Sequence, residues 1–168
     1  GLSEARREGG KVPAKKGAPT VVDADEEPFA APLDKMSSLK PAFQKEGGSV
    51  TAANSSKIND GAAALVISSE EKAREIGAKP LARIVGWAGV AQAPEWFTTA
   101  PIGAIQKLLK KTGLAVGDID LFEINEAFAA VTMASIKELG LDPNKVNVRG
   151  GAVALGHPIG ASGARLLT

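Results

Sequence analysis

The feature that most limits how this chain can fold is an alternation of strand-like and helix-like segments from about Ser49 onward. Short apolar runs, which favour strands, alternate with helical patterns; the runs cover residues 63–67, 81–90, 120–124 and 146–148. The helix opened by Ala100-Pro101 is predicted to end at Gly113. A shorter one, capped by Ser68, is predicted to end at Gly77. Repeated alternation of this kind predicts an α/β layered domain.

One predicted helix, residues 126–139, is apolar around nearly its whole circumference rather than along one stripe. A helix of that composition is expected to be buried on all sides, as it would be between two sheets. Asn125 stands where the preceding strand turns into this helix, a position that suits an N-cap. A polar residue at the carboxyl end of a strand also lies where α/β folds bind ligands, so both interpretations of Asn125 stay open.

Composition excludes several classes of function. The 168 residues hold 20 Lys and Arg against 19 Asp and Glu, so neither a nucleic acid nor an anionic membrane is an expected partner. There is no cysteine and one histidine, which argues against a metal site. No apolar run approaches the length of a membrane span and no signal peptide is visible, so a soluble, cytoplasmic protein is expected.

The two ends of the chain differ from its middle. Residues 1 to about 35 mix prolines with basic and acidic runs, a composition that favours a solvated surface loop. The chain opens on Gly1 rather than Met, and the helical pattern that begins at Ala161 reaches Thr168 without a stop signal. We therefore expect the sequence to be a piece of a longer protein.

The stretch from Gly150 to Gly163 surrounds the single histidine, His157, with five glycines. Its backbone can turn sharply and approach a ligand closely. It matches neither the dinucleotide GxGxxG pattern nor a P-loop, so a phosphate cradle is disfavoured. From these residues alone, His157 is equally compatible with a structural side chain and with an acid–base group. Asn54-Ser55-Ser56 is typical of an ordinary turn.

Three motifs in order resemble those of the thiolases. They are Ser49 to Ser56 followed by Ile58 to Ala64, Asn125-Glu126-Ala127-Phe128-Ala129, and Val146-Asn147-Val148 running into Gly150 to Arg165. The resemblance covers the chain from about Ala18 to its end. It implies a layered αβαβα fold, of which this chain would hold part: a loop-domain remnant at residues 1–58, the end of an N-terminal domain at 59–79, and a truncated C-terminal domain at 80–168.

The thiolase resemblance also implies a chemistry. Members of the family join two acetyl-CoA into acetoacetyl-CoA and CoA, reversibly, through a cysteine acyl-enzyme. By motif matching, His157 takes the proton of that cysteine and Asn125 holds a water of the oxyanion hole. Ser56 contacts the pantetheine arm, and Ala127 and Phe128 line the acyl pocket. No cofactor is implied, because CoA thioesters are the substrates, and a homodimer or homotetramer is expected.

The nucleophilic cysteine of the thiolases falls outside the matched residues, so the chain is predicted to be inactive alone. It is also shorter than the family pattern between Gly10 and Gly17, and Arg149 replaces an asparagine. Three alternatives remain: a thiolase of fatty acid degradation that acts on longer 3-oxoacyl-CoA, a non-catalytic fragment, and a serine hydrolase suggested by Gly160-Ala161-Ser162-Gly163. The hydrolase is disfavoured because His157 precedes Ser162 and Ala164 breaks the elbow pattern.

Overall fold

The computed structural model describes residues 10–12, 20–30 and 33–168. Two units are distinguished, residues 1–37 and 38–168. In the first, strand β1 (Gly10–Val12) pairs antiparallel with β2 (Thr20–Val22), and helix α1 (Glu27–Ala30) and a 3₁₀ helix (Leu33–Ser38) follow. The expectation of a loop over the first 35 residues is therefore wrong for these elements. Positions 13–17 of the shortened stretch lie outside the described residues.

The second unit is built mainly from helices: α2 (Glu70–Glu75), α3 (Ala100–Thr112), α4 (Ala129–Leu139), α5 (Ala152–Leu155) and α6 (Ile159–Leu167). Short 3₁₀ helices cover Ala52–Asn54, Pro94–Thr99, Val116–Asp118 and Pro143–Lys145. The predicted bounds of α3 are confirmed, with Gly113 ending it at a left-handed φ of 73°. Among the described residues, no helix is long and apolar enough to cross a membrane.

The four predicted strands do not form as ladders. Within residues 38–168 the pairing consists of two isolated bridges, Ser55 with Phe128 and Phe122 with Val146. A strand is stable only where a neighbour takes its backbone hydrogen bonds, and residues 63–67 and 81–85 have no such neighbour in the described part of the chain. Val66 and Leu81 are fully exposed as a result. An apolar run therefore predicts a buried strand only when neighbouring strands are present to pair with it.

Helix α4 differs from the prediction at its start and on one face. It begins at Ala129 rather than Glu126, its N-cap is Phe128, and Asn125 is not its cap. The backbone is held extended at Phe128 because the preceding Ala127 bonds elsewhere, to Ser56. Ala130 and Met133 are exposed, Met133 by 66%, so the expectation of burial on all sides is wrong. Similarly, α2 is capped by Ser69 and not by Ser68.

The core of the second unit lies between α4 and the bridged backbone at Phe122 and Val146. Ile124, Val131, Leu141 and Val146 form it, and Ile105 of α3 packs against it. Burying side chains of this size contributes about 1.5–3 kcal/mol each. The residue after Val146, Asn147, has a φ of 49°, which asparagine tolerates better than most side chains. Its amide bonds both the N–H (2.8 Å) and the C=O (2.9 Å) of Ile124.

The segment from Gly86 to Val90 lies along α3 without being a strand. Lys107 donates from Nζ to the Gly89 carbonyl at 3.0 Å, and Lys111 to that of Trp87 at 3.2 Å. The Lys111 ammonium also lies 4.6 Å from the centroid of the Trp87 ring, within the range of a cation–π contact. Two lysines of α3 thus hold this segment against the helix.

Candidate active site

His157 lies in the short connection between α5 and α6. Its backbone N–H donates to the carbonyl of Lys57 at 2.8 Å, and Lys57 lies between the two halves of the first motif. Gly156, immediately before it, has a φ of 82°, and a Cβ there would lie 2.5 Å from the side-chain amide of Asn59. Only glycine fits both the backbone angle and the space. Two motifs almost a hundred residues apart therefore meet at the histidine.

The ring of His157 is oriented by Ser162, whose Oγ lies 2.7 Å from Nδ1. The Ser162 hydroxyl also donates to the carbonyl of Pro158 at 3.1 Å. With the single Ser162 hydroxyl hydrogen directed to Pro158, Nδ1 is the donor in the shorter contact. In the neutral ring this leaves the lone pair on Nε2, the nitrogen that faces Asn125. The arrangement presents His157 as a base with a fixed tautomer.

Asn125 meets His157 across the site. Its Nδ2 lies 3.3 Å from the histidine Nε2, and both residues are partly buried. The other amide atom, Oδ1, is buried and has no hydrogen-bond partner among the described residues. An unpaired buried oxygen costs stability, and functional sites are where such atoms are retained. The pair combines a basic nitrogen with a neighbouring amide that still has a free acceptor.

Ser56 and Ala127, which the thiolase resemblance assigns to substrate binding, are in direct contact. The Ser56 backbone N–H and hydroxyl both donate to the carbonyl of Ala127, at 3.1 and 2.9 Å. These bonds continue the bridge between Ser55 and Phe128 and keep Ala127 from entering α4. The hydroxyl hydrogen of Ser56 is used internally, so the oxygen is left as a hydrogen-bond acceptor for any ligand.

Phe128 is the centre of a small aromatic cluster. Phe43 and Phe97 each approach it edge-on with ring centroids 6.2 Å apart. Next to it is an open cavity of about 320 Å³, lined by Phe97, Pro101, Ala104, Ile105, Glu123, Ile124, Asn125, Ala127 and Val131. Its walls are mainly apolar, with Asn125 among the few polar groups. Sequence reasoning missed Phe97, which no motif marks; only its place just ahead of α3 could have indicated it.

The structure thus brings the five residues predicted for the site into two groups, and the contacts described here are within each group. His157 pairs with Asn125, while Ser56 contacts Ala127 and leads to Phe128. Ser162, weighed from sequence only as a nucleophile, is 2% exposed and bonded on both sides, which removes the basis of the hydrolase alternative. His157 can accept and return a proton next to Asn125, whose amide lines a mainly apolar cavity. This arrangement suits general acid–base catalysis.

Two family models match the chain, one towards its beginning and the other towards its end. Residues 78–168 match the model of the thiolase C-terminal domain, and residues 10–71 match that of the thiolase N-terminal domain. The first of these matches alone covers more than half of the chain. The chain therefore belongs to the thiolase family.

Within that family the chain is similar to acetyl-CoA acetyltransferases. It is 51% identical to the one from Schizosaccharomyces pombe over 94% of this chain and 40% of that protein. A crystal structure of the Bacillus anthracis acetyl-CoA acetyltransferase matches with a TM-score of 0.85 and 49% identity, covering 94% of this chain and 40% of that one. A thiolase from Ascaris suum in complex with coenzyme A matches at 0.80 and 46%, covering 88% and 39%.

These structural matches confirm the thiolase-like fold expected from the sequence, even though the described residues contain a single two-stranded sheet. The chain spans about 40% of the length of the curated relatives it matches. Because 94% of this chain is superposed on the Bacillus anthracis structure, the likeness is not confined to one motif.

Proposed function

We propose that this chain supplies the acid–base and oxyanion part of a thiolase active site. The enzyme joins two molecules of acetyl-CoA into acetoacetyl-CoA and CoA, and runs in both directions. The observation that carries the proposal is the 3.3 Å contact between Asn125 Nδ2 and His157 Nε2, in a ring whose other nitrogen is bonded to Ser162. The relatives named acetyl-CoA acetyltransferase support the choice of substrate.

The first half of the reaction needs a cysteine, which none of these 168 residues provides. A thiol from another segment of the enzyme gives its proton to His157 Nε2, and the thiolate attacks the carbonyl of acetyl-CoA. The new carbon–sulfur bond forms as the bond to CoA breaks, and His157 returns the proton to the departing CoA thiolate. An imidazole is suited to this exchange because its ordinary pKa, roughly 6.5, lies close to neutrality.

The second half forms the carbon–carbon bond. A second acetyl-CoA gives a proton from the carbon next to its carbonyl to a second, proton-shuttling cysteine that also lies on another segment of the enzyme. The resulting enolate attacks the acyl-enzyme carbonyl, the carbon–sulfur bond breaks, and the departing cysteine thiolate takes that proton. The negative charge on the enolate oxygen is stabilised in an oxyanion hole to which His157 and a water held on Asn125 contribute. The free Oδ1 of Asn125 is available to orient that water.

Ser56, Ala127 and Phe128 are proposed to hold the substrate. Ser56 Oγ accepts from an amide of the pantetheine arm, while Ala127 and Phe128 bound the space for the acyl group. The aromatic contacts of Phe128 with Phe43 and Phe97 support a short acyl group. A relative from Staphylococcus aureus, 51% identical, is named a probable acetyl-CoA acyltransferase, and a thiolase that acts on longer 3-oxoacyl-CoA is the second candidate.

The test combines the isolated chain with a chimera in which this chain replaces the matching part of the Bacillus anthracis enzyme. We expect no cleavage of acetoacetyl-CoA by the isolated chain, and measurable turnover by the chimera. In the chimera, His157→Ala should abolish burst acylation, whereas Lys137→Ala on the exposed side of α4 should not. Turnover by the isolated chain, or an intact burst in His157→Ala, would contradict the proposal. Comparing acetoacetyl-CoA with longer 3-oxoacyl-CoA separates the two candidates.

The remaining assignments complete the proposal. The ligands are acyl-CoA and CoA, with no further cofactor, and the complete enzyme is a homodimer or homotetramer in the cytoplasm, working in fatty acid metabolism. A relative from Gibberella zeae that is named cytosolic supports the compartment. Residues 1–58 belong to the loop domain, 59–79 end the N-terminal domain and 80–168 form the C-terminal domain. Calorimetric titration of the chain with CoA tests whether a competent site or a non-catalytic fragment is present.

A further inference from the structure

Glu126 lies between Asn125, which contacts His157, and Ala127, which contacts Ser56. The proposed reaction does not use it. Its carboxylate accepts two hydrogen bonds: Oε1 from the side-chain amide of Asn147 at 2.8 Å, and Oε2 from the backbone N–H of Val153 at 3.2 Å. Val153 is in the first turn of α5, where backbone N–H groups have no partner inside the helix. The carboxylate thus bonds both the side chain of Asn147 and the first turn of α5, the helix that leads to His157.

The contact with Gly151 is unusually close. A Cβ on Gly151 would lie 2.2–2.4 Å from the carboxyl carbon and oxygens of Glu126. A free glutamate could swing away, but this carboxylate is held by its two hydrogen bonds. The glycine before α5 is therefore required by the position of Glu126, and the glutamate lies flat against the backbone of the glycine-rich motif.

The side-chain amide of Asn147 connects Glu126 to the backbone of Ile124. One hydrogen of its amide goes to Glu126 and the other to the carbonyl of Ile124, while its oxygen accepts from the Ile124 N–H. Residues 124 and 126 are thereby held on both sides of Asn125. The loop that carries His157 is held by the same carboxylate through Val153.

We propose that Glu126 is a positioning residue, whose carboxylate holds the Asn125 loop and the His157 loop at the separation that lets Asn125 Nδ2 reach His157 Nε2. That contact is 3.3 Å long, near the outer limit of a hydrogen bond, so a small displacement of either loop breaks it. A glutamine cannot replace the glutamate, because its NH₂ group would face one of the two donors. The inference concerns the site of the proposed function and rests on it.

The single histidine allows a direct test in the 168-residue chain. With ¹⁵N labelling at about pH 8, both ring nitrogens of His157 are read from one long-range spectrum without ambiguity. In Glu126→Gln, we expect the Nε2 resonance to move downfield, towards a nitrogen that accepts no hydrogen bond. The Nδ1 resonance should stay in place, because Ser162 and Pro158 do not contact Glu126. In Glu138→Gln, an exposed carboxylate of α4, neither should move.

Gly151→Ala provides an independent variant that keeps the charge of Glu126 and serves if Glu126→Gln does not fold. It should move Nε2 in the same direction, and it should add nothing to Glu126→Ala, where the space is already vacant. The proposal is overturned if Nε2 is unmoved in folded Glu126→Gln, if both nitrogens move together, or if Gly151→Ala shifts Nε2 equally with and without Glu126. None of these readings depends on catalysis, so failure of this test would leave the proposed function standing.

Discussion

Two stretches of this chain have similar sequence patterns and different structures. Residues 121–162, which we call the stapled segment, contain most of the buried residues and are held by side chains that bond distant backbone. Residues 61–93, the open segment, contain a single buried residue, Ala73, although their apolar runs are as pronounced. Asn147 and Glu126 give the stapled segment contacts that the open segment lacks.

The difference teaches that apolar content does not by itself make a core. Burial removes backbone N–H and C=O groups from water as well as side chains, and each must find a partner. In the stapled segment, Phe122 and Val146 bridge each other and Asn147 satisfies Ile124. In the open segment, residues 63–67 have no such arrangement and their side chains remain in water.

The largest difference between the two segments is expected when one apolar side chain in each is truncated and the free energy of unfolding is measured. Ile124→Ala removes a side chain that is 6% exposed in the core, and we expect a loss of about 2–5 kcal/mol in the free energy of unfolding, measured in urea. Val66→Ala, at a fully exposed position, should leave the urea midpoint unchanged. Equal losses would mean that Val66 is packed in solution, and the contrast between the two segments would disappear.

A second experiment sharpens the role of the polar contacts. Asn147→Gly keeps the left-handed backbone angle but removes the amide that bonds Ile124 and Glu126, so we expect a loss of about 1–3 kcal/mol. Asn144→Gly, an exposed asparagine whose amide bonds Asp142, is the matched control. If the two variants unfold at the same urea concentration, the Asn147 contacts do not stabilise the segment.

Two glycines with left-handed backbone angles, Gly140 in the stapled segment and Gly77 in the open segment, allow the two segments to be compared by their effect on the free energy of unfolding. Gly140 and Gly77 have φ values of 63° and 66° and open space around them, so alanine adds only backbone strain, about 1–2 kcal/mol. That full cost should appear for Gly140→Ala, which follows α4. Gly77→Ala should cost less in global unfolding, because α2 buries only Ala73. Gly163→Ala, inside α6, should raise the midpoint instead.

The smallest effect is expected for the ion pairs of α2. Arg74 contacts Glu70 on the helix surface, and both side chains are more than 70% exposed. Exposed pairs of this kind contribute a few tenths of a kcal/mol and are screened by salt. Glu70→Gln should therefore shift the urea midpoint slightly at low salt and not at all at high salt. A large, salt-independent loss would indicate that α2 is packed more firmly than its exposure implies.

The parts of the fold that the sequence predicted are those decided by local chemistry. Pro101 and Gly113 bound α3 as expected, and the residue after Leu139 is again a left-handed glycine. The predicted start of α4 was wrong because it is decided by distant contacts. Ala127 is held by Ser56, 71 positions earlier, and no local pattern marks that bond.

The candidate site shows the same division. The thiolase resemblance assigned His157 and Asn125 to the catalytic centre, but it gave Ser56 and Ala127 separate roles and did not predict the bond between them. The role of Ser162 towards Nδ1 of His157 was not predictable, because a serine five residues after a histidine has several possible directions until the turn into α6 is known. Glu126 was equally unmarked, since its partners, Asn147 and Val153, are brought near only by the folded loops.

The bare apolar run at residues 62–67 has a practical consequence for anyone handling the chain. Six consecutive uncharged residues, three of them Leu65, Val66 and Ile67, have no backbone hydrogen bond to any other described residue, which is the profile of a self-complementary aggregation site. We expect copies to add to one another strand by strand, so aggregation should rise with protein concentration. A single Val66→Lys change, far simpler than stabilising the fold, should delay the onset of light scattering.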